Sequence, residues 1–237
     1  MTTIITGGRG RLGKYIAKEM SNAIIPPHTE LDVTNRQAVF EFFAKYKPDT
    51  VIHLAALVDV RESQNNNEKA WKVNVGGTEN VVDAAFAVNP NCYFIYISSA
   101  CVFNGERGGY TEEDVPNPVN YYGLTKVVAE EAVRKLPNHL IIRTDFVERT
   151  KWRYPGAYID RFSTCVFSDT LAKALKGVIE KKVTGLIHLT GKRKISHYDL
   201  AKITTPEVQP IKLKDADIPM PQDQSIKSIR GWDNLEL

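Results

Sequence analysis

With 237 residues, 43% apolar and 25% charged, the chain is long enough for one α/β domain with a full core and is neither disordered nor fibrous in composition. A net charge of +3 is too mild to argue for nucleic-acid binding, and no dense basic stripe among aromatics supports it; no nucleic-acid partner is expected. Cys92, Cys101 and Cys165 have no C-x-x-C spacing and leave one over from any pairing, which argues against a disulfide framework or a zinc site and for a reduced, cytoplasmic setting.

The N-terminal residues lack the basic and apolar regions of a signal peptide. Thr3 to Thr6 form a short β-branched run. Gly7-Gly8-Arg9-Gly10-Arg11-Leu12-Gly13 follows at once, and Lys14 to Met20 carry helical apolar spacing. Strand, glycine turn and helix in that order suit a dinucleotide: glycines 7, 10 and 13 let the backbone turn tightly and approach a pyrophosphate at the helix N-terminus. The spacing is G-x-x-G-x-x-G rather than the usual G-x-G-x-x-G.

Ala23-Ile24-Ile25 is the predicted second strand, cut off by Pro26-Pro27. NAD-binding folds commonly place a carboxylate at this strand's end to take the ribose hydroxyls. Pro26, Pro27 and His28 stand there instead, so a 2′-phosphate is not repelled. Arg9 is placed to reach such a phosphate, which favours NADP over NAD; an arginine solvated at the loop tip is the plain alternative. Leu31 to Thr34 read as a short strand before a helix, Asn35 to Tyr46, capped by Thr34 or Asn35.

Thr50 to Ala56 form the next strand. His53 lies inside its apolar run and reads as a packed or backbone-bonded side chain, while Ala55 and Ala56 are small enough for a cofactor to lie against. Glu68 to Val88 read as one long helix, in which Gly76-Gly77 cost stability and so imply close packing. The uncharged run from Ala84 to Gly105 is long enough to span a bilayer, but Asn89-Pro90-Asn91 divides it into a helix end and a strand; no membrane association is expected.

Tyr93 to Ile97 make a buried strand ending in Ser98-Ser99, and a hydroxyl at that end of a doubly wound sheet lies in the ligand crevice. A Gly- and Pro-containing loop leads to Asn120-Tyr121-Tyr122-Gly123-Leu124-Thr125-Lys126 and a run of helix formers. On a helix, Tyr122 and Lys126 share one face, where an ammonium favours the phenolate and makes the phenol a usable acid near neutrality. Such a pair also occurs on solvated helix faces, so its weight comes from the glycine turn and the serines. His139 to Arg143 form another strand. Residues 145 to 168 show no clean period, helices are predicted over Asp169 to Lys181 and Ser196 to Thr204 around a strand at Leu186 to Leu189, and the tail from Pro206 reads as irregular but packed. The whole is an α/β, Rossmann-type doubly wound parallel sheet. Residues 1–145 are expected to form the NAD(P)-binding domain. Residues 146–237 form a reduced substrate lobe interleaved with the last strand and helices of that domain.

The ordered set resembles the extended short-chain dehydrogenase/reductases, and within them the dTDP-4-dehydrorhamnose reductases. The matching pieces are Thr6 to Gly13, Leu31 to Thr34, His53 to Ala56, Asn74 with Gly77 to Asn80, Ser98-Ser99 with Val102-Phe103, Tyr122 to Lys126, Arg143-Thr144 and Gly185 to Gly191. The resemblance implies hydride transfer from a nicotinamide to a nucleotide-linked keto sugar. Tyr122 is then the acid, Ser99 a hydrogen-bond donor to the same carbonyl oxygen, and Lys126 the residue that holds the nicotinamide ribose and lowers the phenol's pKa. It further implies Gly7, Gly10 and Gly13 on the pyrophosphate, Asp32 at the adenine, Ala55 near the adenosine ribose and Asn74 supporting the cofactor or the active-site loop. Arg9, Arg11, Leu12, Val33, Leu54, Ala56 and Ser98 complete the cofactor set, and a homodimer is the family expectation.

Three departures stand out. Ala100 and Cys101 follow Ser99 where the rhamnose-pathway reductases usually carry Asp, and the acidic pair of the 4,6-dehydratases is missing. Cys101 falls where GDP-fucose synthases carry an acid/base cysteine, yet no histidine lies between His139 and His188 to partner it, so an inert, buried thiol is favoured over an epimerase. The stretch from Arg143 to Asp169 looks short for a substrate lobe, which leaves a non-catalytic, cofactor-binding regulatory subunit as the alternative of another class. Lys181, Lys182, Lys192, Arg193 and Lys194 read as a solvated face.

Overall fold

A computed structural model describes all 237 residues, Met1–Leu237. Its elements in chain order are β1 (Thr3–Thr6), α1 (Gly13–Glu19), α2 (Arg36–Tyr46), β2 (Thr50–His53), α3 (Val60–Asn65), α4 (Asn67–Trp71), α5 (Gly77–Val88), β3 (Tyr93–Ile97), α6 (Tyr121–Val133) and β4 (His139–Arg143). Then come β5 (Phe146–Val147), β6 (Gly156–Tyr158), β7 (Phe162–Ser163), β8 (Val166–Phe167), α7 (Ser168–Glu180), β9 (Gly185–His188), β10 (Ile195–Ser196), α8 (His197–Lys202) and β11 (Gln209–Ile211).

The central sheet is parallel throughout, in the order β1-β2-β3-β4-β9. Alternation along each strand divides the apolar side chains between two faces. Ile4, Val51, Phe94, Tyr96 and Ile141 meet Val39, Phe42 and Phe43 of α2, Val81 and Val82 of α5, and Ala129 and Val133 of α6. Ile5, Ile52, Ile95, Ile97, Leu140 and Ile142 meet Ile16 of α1 and Leu171, Leu175 and Val178 of α7. Helices on both faces leave only the ends of the sheet free for a ligand.

Two predicted strands are not formed as such. Ala23–Ile25 contributes a single bridge, Ile24 to Ile4, with Ile24 N–H donating to Thr3 O and Ile5 N–H to Ile24 O. Pro26 and Pro27 end it, because proline has no N–H to extend the ladder. Leu31–Thr34 is a turn in which the Asp32 carboxylate accepts from Thr34 N at 2.9 Å, a local bond that competes with strand pairing. Asn35, not Thr34, caps α2, accepting from Ala38 N.

The helix expected over 68–88 is continuous but not uniform, because Lys72–Gly76 is a π turn between α4 and α5. Gly77 is forced by packing, since a Cβ there would stand 2.8 Å from Val33 Cγ2, whereas nothing approaches Gly76. His53 is packed as expected, but it bonds to two threonine hydroxyls, Thr6 at 2.6 Å and Thr78 at 3.0 Å, rather than to backbone. Thr78 Oγ1 donates to Asn74 O, so it accepts from Nε2–H, and the ring is the neutral Nε2–H tautomer. Burial lowers its pKa to about 3.

Residues 145 to 168 form paired two- and three-residue strands rather than helix. The tail is held by bridges from Ile226 to Tyr110, Asp223 to Phe162 and Leu235 to Gly191. Glu112 fixes it further, accepting from Ser228 Oγ and Ile229 N. No helix is long and apolar enough to cross a membrane.

Candidate active site

A cavity of about 990 Å³ opens at the carboxyl ends of the sheet strands, between the glycine turn, the stretch from Thr144 to Arg161 and the tail. β1 delivers Gly7 to Gly13 to its rim, β2 delivers Leu54 to Asp59, β3 delivers Ser98, Ser99 and Cys101, and β4 delivers Thr144 to Glu148. That is the crevice in which open α/β sheets hold ligands.

The glycine turn has two structural demands. Gly7 has φ +67°, and a Cβ on it would lie 2.6 Å from Ala55 N. Only glycine lets the turn fold against the end of β2 at Ala55 and Ala56. Gly13 likewise abuts the backbone of Gly8, which seats α1 on β1. Arg9, Arg11, Leu12, Asp32, Val33, Pro26 and His28 line the same end. Neither Arg9 nor Arg11 has a carboxylate partner.

At the other end α6 presents Tyr122 and Lys126, one turn apart. Asn120 caps the helix through Gly123 N at 2.9 Å. Gly123 has no Cβ to strike the Cys101 carbonyl, so the first turn of α6 lies directly against the turn that follows Ser99. This contact brings Tyr122 beside Ser99 and Cys101. Burial pushes the phenol above its ordinary pKa, with Cys101 adding to the effect and the Ser99 hydroxyl and Arg11 opposing it. The depression expected from Lys126 is not seen: desolvation of the phenolate dominates, and the cation that opposes it is Arg11. The phenol consequently keeps its proton across the neutral range.

Lys126 is 3% exposed. Burial pushes its pKa down to about 7, with Glu130 pulling the other way. Its Nζ stands 4.1 Å from the centre of the Tyr96 ring, a cation–π contact that offsets part of the desolvation.

Glu130, one further turn along α6, is the residue that sequence reasoning missed. It is 1% exposed and accepts from Arg143 Nε at 3.0 Å and Nη2 at 2.7 Å, and from Ser98 Oγ at 2.6 Å. This bidentate pair ties α6 to β3 and β4 directly beneath Lys126. A period-four run, Tyr122, Lys126, Glu130, placing a carboxylate on the same face as Ala129 and Val133 was its only signal. The Ser98 hydroxyl is thus engaged by Glu130, although the residue lines the cavity.

Asn74, a member of the predicted binding set, does not line the cavity. Its amide is fully occupied: it accepts from Leu57 N at 2.7 Å and donates to Leu57 O and to Thr125 Oγ1. Thr125 Oγ1 in turn donates to Tyr122 O at 2.7 Å. Asn74 therefore ties the loop after β2 to the first turn of α6.

Cys101 is buried, its thiol pushed up by desolvation and directed at Gln224 Oε1, 3.4 Å away. That is the environment of an inert thiol. Trp152, Arg161, His197 and Gln224 also wall the cavity. They come from the aperiodic stretch, α8 and the tail, where no sequence pattern announced them. Lys181, Lys182, Lys192, Arg193 and Lys194 lie outside it. No cluster of three His, Cys, Asp or Glu side chains could hold a metal ion.

The model for the RmlD substrate binding domain matches residues 1–153. The dTDP-4-dehydrorhamnose reductase of Aggregatibacter actinomycetemcomitans is 28% identical over 225 residues, covering 84% of this chain and 76% of that protein. Methionine adenosyltransferase 2 subunit beta of Rattus norvegicus is 29% identical over 237 residues, covering 84% and 69%. The crystal structure of a dTDP-4-dehydrorhamnose reductase from Bacillus anthracis in complex with NADP superposes with a TM-score of 0.89, covering 99% of this chain and 94% of that one at 24% identity; at that identity the likeness is one of fold.

Proposed function

We propose, on the premise that this chain belongs to the RmlD substrate binding domain family, that it is an NADPH-dependent reductase of a nucleotide-linked 4-keto-6-deoxy sugar. The observation that carries the reading is the convergence of Ser99, Tyr122 and Lys126 on one cavity whose other end is the glycine turn with its two unpaired arginines.

The residues present fit a nicotinamide dinucleotide. The left-handed turn at Gly7, the small Ala55 and Ala56, and the free cations Arg9 and Arg11 make a cradle for a pyrophosphate and a 2′-phosphate. Lys126 Nζ makes no hydrogen bond or ion pair within the protein and is available to ribose hydroxyls. When bound, NADPH supplies a hydride to the carbonyl carbon of the sugar.

The chain's own residues handle the oxygen. Negative charge grows there as the carbon is reduced, so the two donors aimed at it, the Tyr122 and Ser99 hydroxyls, bind the transition state more strongly than the ketone. Tyr122 then gives up its proton to that oxygen. Its raised pKa keeps the proton available until charge develops, and Lys126, one turn away, stabilises the phenolate left behind. On this reading residues 1–145 hold the cofactor and residues 146–237 the sugar, and the enzyme is a cytoplasmic homodimer.

The experiment is NADPH oxidation against a panel of nucleotide-linked keto sugars. Turnover is expected only with a 4-keto-6-deoxy sugar present. Tyr122→Phe is expected to lower kcat by roughly 10²- to 10⁴-fold with NADPH affinity unchanged, and near-original turnover in the Phe variant would sink the role given to Tyr122. The 29% identity to methionine adenosyltransferase 2 subunit beta supports a second reading as a cofactor-binding regulatory subunit. Stoichiometric co-purification of a partner, with no turnover on any sugar, would favour that reading.

A further inference from the structure

Five carboxylates line the cavity: Asp32, Asp59, Asp145, Glu148 and Asp217. Four of them are answered by the protein itself. Glu148 pairs with Lys14, Asp217 with Arg61 and Asp59 with Arg153, while Asp32 accepts from Thr34 N and lies 3.9 Å from His28 Nε2. Asp145 meets no basic side chain within ion-pair distance, and the reading above gives it no task.

Asp145 lies just past the end of β4, at the carboxyl edge of the sheet. Thr144 O, one residue before it, accepts from Ala100 N at 3.0 Å, and Ala100 follows Ser99, so the carboxylate stands beside the turn that carries the Ser99 hydroxyl. Its charge is felt there: after burial, it is among the groups that raise the Cys101 thiol and the Tyr122 phenol. One of its oxygens is already held. Arg161 Nη2 donates to Gln224 Oε1 at 2.8 Å, which fixes the way the Gln224 amide is turned, and its Nε2 then donates to Asp145 Oδ2 at 2.8 Å. The other oxygen, Oδ1, has no hydrogen-bond partner in the protein and is not sealed off from the cavity. A half-buried carboxylate with one oxygen clamped and the other open to a ligand crevice is a fixed acceptor. A ligand that displaces water from it without donating a hydrogen bond leaves a charge stranded.

We infer that Asp145 Oδ1 accepts a hydrogen bond from the hydroxyl on the carbon next to the reacting carbonyl, which makes Asp145 a specificity-determining residue; the inference rests on the reductase reading. On that reading Ser99 and Tyr122 hold the carbonyl oxygen, so the group that Asp145 meets lies one bond further round the sugar ring. In a 4-keto-6-deoxy sugar only one of the two carbons flanking the carbonyl, C3, bears a hydroxyl; the other, C5, carries the methyl group and the ring oxygen. The site therefore asks for a free hydroxyl at C3. A sugar without it leaves the carboxylate dehydrated and unpaired, which is how a polar site rejects an analogue that lacks its donor.

The test compares kcat/KM for a nucleotide-linked 4-keto-6-deoxy sugar with that for its 3-deoxy counterpart, at saturating NADPH. The wild-type protein is expected to favour the 3-hydroxy sugar by about ten- to hundred-fold. Asp145→Asn keeps a carbonyl for Gln224 Nε2 but puts a donor where the open acceptor was, and Asp145→Ala removes both. In each the preference is expected to fall to within about threefold, through loss on the 3-hydroxy sugar alone, with NADPH affinity unchanged. A wild-type ratio near one, or a ratio kept in Asp145→Asn while turnover continues, would overturn the contact and leave the reductase standing. Solvent deuterium entering C3 with wild type but not with Asp145→Asn would make Asp145 a base on that carbon and overturn it as a hydroxyl acceptor. If neither sugar turns over, the reductase reading fails, and calorimetric titration of the two reduced nucleotide sugars into NADP-saturated protein reads the preference without turnover. A ratio there that depends on Asp145 would keep the contact, and a ratio near one would remove it.

Discussion

Replacing Glu130 by Gln changes one buried carboxylate into an amide of the same shape, and its cost follows from what that carboxylate holds. Arg143 is 2% exposed, donates two nitrogens to Glu130, and already has one buried nitrogen, Nη1, without a partner. The substitution leaves a buried guanidinium uncompensated and turns an amide N–H towards its donors. Breaking a buried pair in this way costs about 3–5 kcal/mol, a large share of the roughly 5–15 kcal/mol that a protein of this kind has. At 2–4 °C per kcal/mol for a chain of this size, the melting temperature is expected to fall by roughly 6–20 °C. Urea unfolding of wild type, Glu130→Met, Arg143→Met and the double variant checks the mechanism. The two single changes are each expected to be costly, and the double variant to be no worse than either, because removing both charges also removes the unpaired one. A Glu130→Gln variant within about 1 kcal/mol of wild type, or additive single effects, would refute the reasoning. Loss of Glu130 also withdraws the one group that raises the Lys126 pKa, so the Lys126 charge is expected to disappear at lower pH.

Other consequences are as direct. Lys126 has a folded pKa of about 7 against an ordinary 10.5. Below about pH 7 both states hold its proton and burial opposes folding in full; above it the unfolded chain alone keeps the proton, so stability rises with pH from this group. Lys126→Met is expected to be more stable than wild type at pH 6 by a few kcal/mol, with the gap narrowing steadily between about pH 7 and pH 10.5 in denaturant titrations at each pH. A constant gap would count against a depressed lysine. Gly7→Ala, strained at φ +67° and driven into Ala55 N, is expected to abolish measurable NADPH binding and to lower stability by about 1–3 kcal/mol. Asn74→Ala frees the Leu57 amide and carbonyl and the Thr125 hydroxyl. A fall in kcat with a smaller change in NADPH affinity is expected from steady-state kinetics, and an unchanged kcat would show that the loop needs no such clamp. Cys101→Ala is expected to leave kcat within about twofold, and a loss beyond tenfold would restore a catalytic thiol.

The layered sheet, the glycine turn and the Tyr122 helix were legible because each is a local pattern: β-branched runs, glycines beside them and apolar spacing on helices repeat over a few residues. The same locality explains the errors. Leu31–Thr34 has strand composition, but Asp32 bonds to its own backbone two residues on. Ala23–Ile25 has it too, yet the two prolines stop it after one bridge. The phenol's pKa was misjudged because an i,i+4 ammonium is visible in sequence and desolvation by the surrounding elements is not.

By itself, the sequence determined which residues would lie at the carboxyl ends of the strands, since alternation and turn chemistry put Gly7, Ala55 and Ser99 there whatever the rest of the chain does. Only the tertiary structure decided what they face. Arg161 and Gln224 reach the cavity from segments without periodicity, His197 reaches it from the start of α8, whose spacing does not say what it faces, and Glu130 meets Arg143 across the helix–sheet interface. Contacts between residues far apart in the chain depend on how layers pack, and packing leaves no short-range signature for a sequence to carry.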